Sequence, residues 1–128
     1  MNNILNRNQE IVIFHHRCTS SELNKDEIRN SNLENYIPSL KYLSENNFLI
    51  IKIGTEMTKF DLKISNLIDL TNMKKENNQF IEWGLIKNSK FMISTDSGAQ
   101  ILANLAGVPT LGTNSTSIIG FDEYAHKN

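Results

Sequence analysis

The sequence predicts an α/β domain in which short parallel strands alternate with helices. Two almost wholly apolar runs rich in β-branched residues, at 10–15 and 48–53, have the composition of strands buried on both faces of a parallel sheet. A segment with helical periodicity separates them, so the two runs and their crossover form a predicted βαβ unit. A third apolar run, at 90–94, leads into a turn, a series of strong helix formers and a further short strand.

The first helix is expected to begin near Asn35. Pro38 then falls in its first turn, where the missing N–H matters least. Residues 31–34 also fit the capping-box pattern, and a start there would place Pro38 inside the helix as a kink. We favour the later start. The apolar stripe of this helix would consist of Tyr36, Ile37, Leu40 and Leu43.

The remaining elements complete the alternation. Residues 66–70 form a predicted third strand, and residues 76–87 form a second helix. Residues 99–106 form a third helix, which Gly107 would end in a left-handed conformation before a last strand at 108–111. The apolar face of the second helix would carry Phe80, Ile81, Gly84 and Leu85. This order predicts a Rossmann-like, three-layer α/β domain with a parallel sheet.

Length and composition limit the possible functions. The 128 residues are expected to form a single domain, with 1–9 and 115–128 poorly ordered or belonging to truncated elements. The 13 basic and 14 acidic residues form no cationic footprint, so nucleic acid is not expected as a partner. The longest apolar run, at 48–51, is far shorter than the ~20 residues of a membrane span, so none is expected. Cys18 is the only cysteine and no signal-peptide pattern follows Met1, so a cytoplasmic location is expected.

The turn after the 90–94 strand is a candidate anion site. If Ser97, Gly98 and Ala99 form the first turn of a helix, their N–H groups lack intrahelical partners and the helix dipole favours a phosphate or diphosphate there. Gly98 would let the anion approach the backbone, and the Ser97 hydroxyl would add a hydrogen bond. The alternative is that Asp96 simply caps the helix. Because its charge repels an anion, the functional role expected for Asp96 is contact with sugar hydroxyls.

A second group of polar residues follows the first strand. The same edge of the sheet should be reached by His15, His16 and Arg17. There Arg17 can bind a phosphate through a bidentate contact, and either histidine can form a hydrogen bond with the phosphate. The alternative is a solvated loop with one histidine packed beneath it. Lys52 is unusual for a buried strand, and it would either reach solvent at the sheet edge or point into the site.

Several chemistries lack their signatures. The sequence contains neither GxGxxG nor GxxxxGK[ST], and its histidines and cysteine lack zinc-ligand spacing, so no cofactor and no metal is expected. A serine hydrolase is not supported, because there is no Gly-x-Ser-x-Gly elbow and no base is evident beside Ser97. The residues identify no catalytic group.

Residues 91–110 resemble the strand, Asp-Ser/Thr-Gly, helix, Gly-x-Pro-Thr pattern of the heptosyltransferase-like group. The chain is thereby similar to the carboxyl-terminal, donor-binding domain of bacterial glycosyltransferases with the GT-B architecture. A closer similarity is to predicted glycosyltransferases of surface-polysaccharide loci, which combine an Arg-Asn pair, here Arg29 and Asn30, with a helix from Tyr36 and a strand ending in Arg-x-Gly. Lys52 and Gly54 fall in that last motif, and lysine in place of arginine removes any bidentate contact. The match covers about residues 11–114.

The resemblance implies that the chain binds a nucleotide-activated sugar without a metal. Ser97 and Gly98 would hold the donor diphosphate with help from loop 15–17, and the turn at Asp69 and Leu70 would lie near the ribose or base. The half of such enzymes that carries the acceptor site is not in these residues, so a glycan acceptor would come through a further domain or a partner chain. A non-catalytic Rossmann-like interaction module and a small regulatory nucleotide-binding domain are the alternatives.

Overall fold

A computed structural model describes residues 9–18, 30–54, 63–71 and 78–115 of the chain. Five parallel strands form one sheet in the order β3-β2-β1-β4-β5. The strands are β1 (Ile11–His15), β2 (Leu49–Lys52), β3 (Leu67–Asp69), β4 (Phe91–Thr95) and β5 (Thr110–Thr113). This sheet confirms the predicted Rossmann-like α/β fold. The expectations for the two chain ends concern residues that lie mostly outside the described ranges.

Three α-helices connect the described strands, namely α1 (Ile37–Glu45), α2 (Asn78–Lys87) and α3 (Gly98–Leu105). The favoured later start of the first helix is confirmed, because Pro38 lies in the first turn of α1. A single 3-10 turn, Leu33–Tyr36, precedes it. Asn32 caps this turn by accepting a hydrogen bond from the Glu34 N–H at 3.0 Å. The chain therefore begins to turn where the capping-box alternative suggested, but without a proline kink.

The apolar residues of the strands face two separate cores. Alternate side chains such as Phe14 and Ile93 pack with Leu40 of α1 on one face of the sheet. Their neighbours Ile13 and Met92 pack with α2 and α3 on the other face. Both faces are therefore covered, which explains why the strand sequences are almost continuously apolar.

The predicted apolar face of α2 was wrong for Phe80 and Ile81 but right for Leu85, which packs against the core. Ile86 is the buried residue of this helix, whereas Phe80 is 84% exposed and Ile81 is also exposed. Because α2 carries large apolar residues on more than one side, periodicity alone could not show which side meets the sheet. The predicted start at Glu76 lies outside the described residues.

The last strand begins two residues later than expected. Gly107 has a φ of +72°, as predicted for the end of α3. Val108 is then buried beneath the sheet, and the Pro109 carbonyl accepts a hydrogen bond from the Met92 N–H at 2.9 Å. Pairing with β4 is thus established just before β5 begins.

Candidate functional site

The order of the strands reverses at the boundary between β1 and β4. The chain adds β2 and β3 on one side of β1, and then adds β4 and β5 on the other side. Strands β1 and β4 are neighbours at the centre, with β2 and β3 on one side and β5 on the other. The crossover through α1 covers one face, and those through α2 and α3 cover the other. Such a switch point leaves a crevice at the carboxyl ends of the strands, where open α/β sheets bind ligands. Loop 15–17 and turn 96–98 both leave the sheet here, as the sequence predicted.

His15 joins the two segments. Its Nδ1 atom lies 3.3 Å from the Ser94 hydroxyl and 3.3 Å from the Ser97 hydroxyl. The two serine hydroxyls are 3.4 Å apart, and that of Ser94 also donates to the Thr95 carbonyl at 2.8 Å. A basic ring that was not evident beside Ser97 in the sequence is therefore brought there by the pairing of β1 with β4.

Ser97 is the N-cap of α3, so the alternative that Asp96 caps the helix was wrong. Its backbone is extended, and within the described residues its side chain makes no capping hydrogen bond. The hydroxyl bonds His15 instead. By helix geometry the N–H groups of Gly98 and Ala99 have no partner inside α3, and Gly98 is exposed. The turn therefore offers backbone donors to an anion.

Gln100 was missed by the sequence analysis. It is the third residue of α3 and only 2% exposed, and its Nε2 atom has no hydrogen-bond partner among the described residues. Helical side chains lean toward the amino terminus, so this amide extends toward the turn at Ser97. A serine followed three residues later by glutamine was the available signal, because it is the capping-box pattern.

The loop after β1 is attached to the end of β4. The Arg17 N–H donates to the Thr95 hydroxyl at 2.8 Å, and the Arg17 carbonyl accepts from the Ser31 N–H at 3.0 Å. His16 is 3% exposed and stacks on the Phe14 ring, with ring centroids 5.8 Å apart. His16 thus lies beneath the loop and His15 at the serine hydroxyls.

Hydrogen bonds also hold the end of β5 close to the end of β4 and to the segment before α1. The Tyr36 hydroxyl lies 2.7 Å from the Thr113 hydroxyl, which donates to the Ser94 carbonyl at 3.4 Å. Asn114 donates to the Asn30 carbonyl at 3.0 Å. Arg29, the other member of the Arg-Asn pair, lies outside the described residues.

Lys52 and Asp69, two candidates from the sequence, form an ion pair. The Lys52 side chain is fully buried, and its Nζ lies 3.3 Å from Asp69 Oδ2. Lys52 therefore does not reach solvent at the sheet edge. Asp69 Oδ1 accepts hydrogen bonds from the Thr71 N–H at 2.9 Å and from the Thr71 hydroxyl at 2.5 Å. Leu70 N–H donates to the Lys52 carbonyl at 3.0 Å, which holds this turn against β2.

Opposing effects act on the pKa of Asp69. Burial raises the pKa, whereas the hydrogen bonds from Thr71 and the charge of Lys52 lower it. Their sum places the pKa below its ordinary value, so the carboxylate is ionised at neutral pH. A fixed pair of charges therefore lies at the ends of β2 and β3.

Gly54 provides room for His15. Its φ is +120°, and a Cβ atom at this position would lie 3.0 Å from His15 Cδ2 and 3.2 Å from Nε2. The ring thus lies between the end of β2 and the serine hydroxyls. Any other residue would be strained at this φ, and its Cβ would crowd the His15 ring.

Gly54→Ala is expected to destabilise the chain by about 2–3 kcal/mol through backbone strain and contact with His15. Gly107→Ala is the matched control, because Gly107 also has a positive φ but an added Cβ would have no atom within 4 Å. Urea unfolding should show a smaller loss for the control, and only Gly54→Ala should shift the NMR signals of the His15 ring. Equal losses with an unmoved ring would contradict the proposed contact.

Two general features of the described ranges bear on the class of site. No three His, Cys, Asp or Glu side chains in these ranges are placed to hold a metal ion. No helix in the same ranges is long and apolar enough to cross a membrane.

The sheet order and the switch-point crevice define a Rossmann-like α/β domain. Among solved structures, the chain is similar to the E. coli heptosyltransferase WaaC with ADP, with a TM-score of 0.62 and 15% identity. It is also similar to TibC of enterotoxigenic E. coli H10407, an iron-containing dodecameric glycosyltransferase, with a TM-score of 0.60 and 14% identity. A structure of dodecameric iron-containing TibC heptosyltransferase in complex with ADP-D-beta-D-heptose has a TM-score of 0.59 and 14% identity.

These matches cover most of this chain but a minor part of each neighbour. WaaC is matched over 83% of this chain and 34% of its own length, and both TibC structures over 81% and 26%. At such low identity the similarity establishes the fold alone. No protein-family model and no curated protein sequence matches the chain.

Proposed function

We propose that the chain is the donor-binding domain of a cytoplasmic glycosyltransferase that builds surface polysaccharide. It would bind a nucleotide-activated sugar and transfer the sugar to a glycan acceptor held by a further domain or a partner chain. The observation that carries the proposal is the meeting of His15 with Ser97 at the amino terminus of α3. The neighbours with ADP and ADP-D-beta-D-heptose support a nucleoside diphosphate, free or carrying a sugar, as the ligand class.

The diphosphate would bind at the amino terminus of α3. The N–H groups of Gly98 and Ala99 and the positive end of the helix dipole would hold its oxygens, with the Ser97 hydroxyl as a further donor. Arg17 would supply a cationic contact from the facing loop. The buried ring of His16 would support this loop, and His15 would orient the Ser97 hydroxyl.

The same groups would assist the reaction without a metal. When the bond to the sugar breaks, negative charge accumulates on the leaving diphosphate. The backbone N–H groups at the start of α3 and the Arg17 guanidinium would stabilise that charge. The Thr95 contact holds the backbone of Arg17 at the end of β4.

The remaining candidates would contact the two ends of the donor. Asp96, just outside the first turn of α3, would accept hydrogen bonds from sugar hydroxyls. The nucleoside would extend toward β2 and β3, where Asp69 and Leu70 would lie near the ribose or base. In this arrangement Lys52 and Gly54 act indirectly, through the Asp69 carboxylate and the His15 ring.

Gly98→Ala is expected to lower donor affinity at least about tenfold, because a methyl group would occupy the approach of the anion to the backbone. An added Cβ at Gly98 has no atom within 4 Å, so the folded chain should not be destabilised. Gly84→Ala in α2 is the matched control, because its Cβ is equally unobstructed and far along the chain from the turn. Calorimetric titration of the three proteins with ADP-heptose and with UDP, GDP and CDP sugars measures the effect.

The outcomes separate the candidate functions. Binding of one nucleotide sugar that Gly98→Ala weakens and Gly84→Ala leaves unchanged supports the donor site. A folded chain that binds none of these sugars contradicts the donor site and favours the non-catalytic interaction module. Tight binding of a free mononucleotide, with no gain from the sugar, indicates a regulatory nucleotide-binding domain.

A further inference from the structure

Three polar side chains form a layer between the apolar core and the amino terminus of α3. Strand register places His15 of β1 beside Ser94 of β4. The side chains two residues earlier, Ile13 and Met92, lie in the core beneath α2 and α3, so His15 and Ser94 face the same side of the sheet. Ser97 completes the layer, with its hydroxyl 3.4 Å from that of Ser94. The sheet itself therefore fixes two of the three groups.

Ser94 directs its proton away from the other two groups. Its side chain is fully buried, and its hydroxyl donates to the Thr95 carbonyl at 2.8 Å, the usual length of a bond between two oxygen atoms. The contacts of the same hydroxyl with His15 Nδ1, at 3.3 Å, and with the Ser97 hydroxyl, at 3.4 Å, are longer. Because a hydroxyl carries a single proton, Ser94 accepts in both of these contacts.

The His15 ring must then supply the proton between Nδ1 and Ser94. Without it, the lone pair of the ring nitrogen would face those of a buried oxygen, which is unfavourable away from water. The distances agree, because Nδ1 lies 3.3 Å from the Ser94 hydroxyl and 3.3 Å from the Ser97 hydroxyl. One N–H can be shared between two acceptors, whereas one nitrogen lone pair serves a single donor. Nδ1 therefore carries a proton in the neutral ring as well as in the cation.

We infer that Ser94 is a positioning residue that keeps the Ser97 proton available to a ligand. When Nδ1 donates, the Ser97 oxygen accepts from the ring and retains its own proton. In the ligand-free chain this proton can point to Ser94 at 3.4 Å, a long contact that a charged phosphate oxygen would replace. If Nδ1 accepted instead, the Ser97 proton would be used by the ring. Ser94 excludes that arrangement, so the hydroxyl at the amino terminus of α3 acts as a donor.

The role of Ser94 in binding rests on the proposed donor site, but the position of the His15 proton does not. The first test therefore uses the chain without a ligand. NMR correlation spectra of the ¹⁵N-labelled chain at about pH 8.5, where an ordinary imidazole is neutral, distinguish a protonated from an unprotonated ring nitrogen. The His15 Nδ1 signal, which is identified by its loss in His15→Gln, should be that of a protonated nitrogen. An unprotonated Nδ1 in the wild type overturns the inference.

Replacing Ser94 should change this signal. Ser94→Ala should introduce the unprotonated form of Nδ1, because the His15–Ser97 pair is then satisfied with the proton on either partner. Ser44→Ala is the matched control, since it also removes a buried serine hydroxyl, which bonds that of Ser65 at 3.0 Å, but it lies in α1. The control should leave the His15 signal unchanged. A signal that neither variant changes overturns the role of Ser94.

The second test is a double-mutant cycle on donor affinity. Calorimetric titration uses the tightest binder among ADP-heptose and the UDP, GDP and CDP sugars. Ser94→Ala and Ser97→Ala should each weaken binding about three- to tenfold, as expected for the loss of one hydrogen bond, and Ser44→Ala should not. In the Ser97→Ala background, Ser94→Ala should cause no further loss, because the hydroxyl that it positions is gone. A further loss of the same size shows that Ser94 does not act through Ser97.

The two proposals fail in different ways. A folded wild type that binds none of these sugars overturns the donor site, and with it the role of Ser94 in binding, whereas a protonated Nδ1 still upholds the proton arrangement. A wild type that binds a donor but has an unprotonated Nδ1 overturns the role of Ser94 alone.

Discussion

Replacing Asp69 with Asn is expected to lower the free energy of unfolding by about 3 kcal/mol. The change removes the negative charge that lies 3.3 Å from the Lys52 ammonium, and the Lys52 side chain is fully buried. Taking away one partner of a buried ion pair is costly because the other charge keeps its loss of hydration. Chemical denaturation in urea at neutral pH measures the effect.

An exposed ion pair in the same chain provides the control. Lys90 Nζ and Glu10 Oε1 are 2.9 Å apart, closer than the buried pair, but both side chains are more than half exposed. Glu10→Gln should therefore cost less than about 1 kcal/mol. The double variant Lys52→Met/Asp69→Leu should recover much of the loss in Asp69→Asn, because it removes both charges. Equal losses for Asp69→Asn and Glu10→Gln would show that burial does not govern this pair.

The pH dependence should follow the direction of the Asp69 shift. The folded-state pKa lies below the ordinary value of 3.8, so the carboxylate stabilises the fold fully above that pH. This contribution is lost as the pH falls through the folded-state pKa. Below pH 3.8 the wild type should lose stability more steeply than Asp69→Asn, which lacks the group. Parallel acid unfolding curves would contradict the shift.

Ser97→Asp is expected to stabilise the chain and to abolish donor binding in the same molecule. Aspartate is a good N-cap and its charge favours the helix dipole, so stability should rise by about 0.5–1 kcal/mol. The same charge would face the diphosphate at the amino terminus of α3, and affinity should fall by about a hundredfold or more. Thermal unfolding and calorimetric titration with ADP-heptose measure the two effects.

Ser97→Asn separates charge from capping. Asparagine caps a helix about as well as aspartate but carries no charge. It should therefore share the part of the stability gain that comes from capping, while losing much less affinity than Ser97→Asp. If both variants bind the donor as the wild type does, the anion does not lie at this turn, and the donor-site proposal fails.

The strands and their backbone turns could be predicted because each depends on local sequence. Short apolar runs indicated the five strands, although the last one begins two residues later than predicted, and the left-handed conformation of Gly107 follows from a residue type that tolerates it. The inner face of α2 could not be predicted. Phe80 and Ile86 are equally acceptable to a helix, and only contact with the sheet selects Ile86 for burial.

The site could be predicted in location but not in its pairings. A parallel sheet brings the ends of β1 and β4 to one edge, so loop 15–17 and turn 96–98 were expected to meet. Which histidine reaches Ser97 depends on side-chain direction at the end of β1, and there adjacent residues point to opposite sides. His15 therefore meets the serines, whereas His16 packs on Phe14.

The sequence alone determined the α/β class, the strand positions and the two polar segments at the switch point, because residue type and local periodicity control them. Only the tertiary structure decided that Lys52 pairs with Asp69, that Gly54 accommodates His15, and that Ile86 is buried while Phe80 remains exposed. These features join residues from separate strands and helices. Their distances are set by strand register and packing, which no local stretch of sequence encodes.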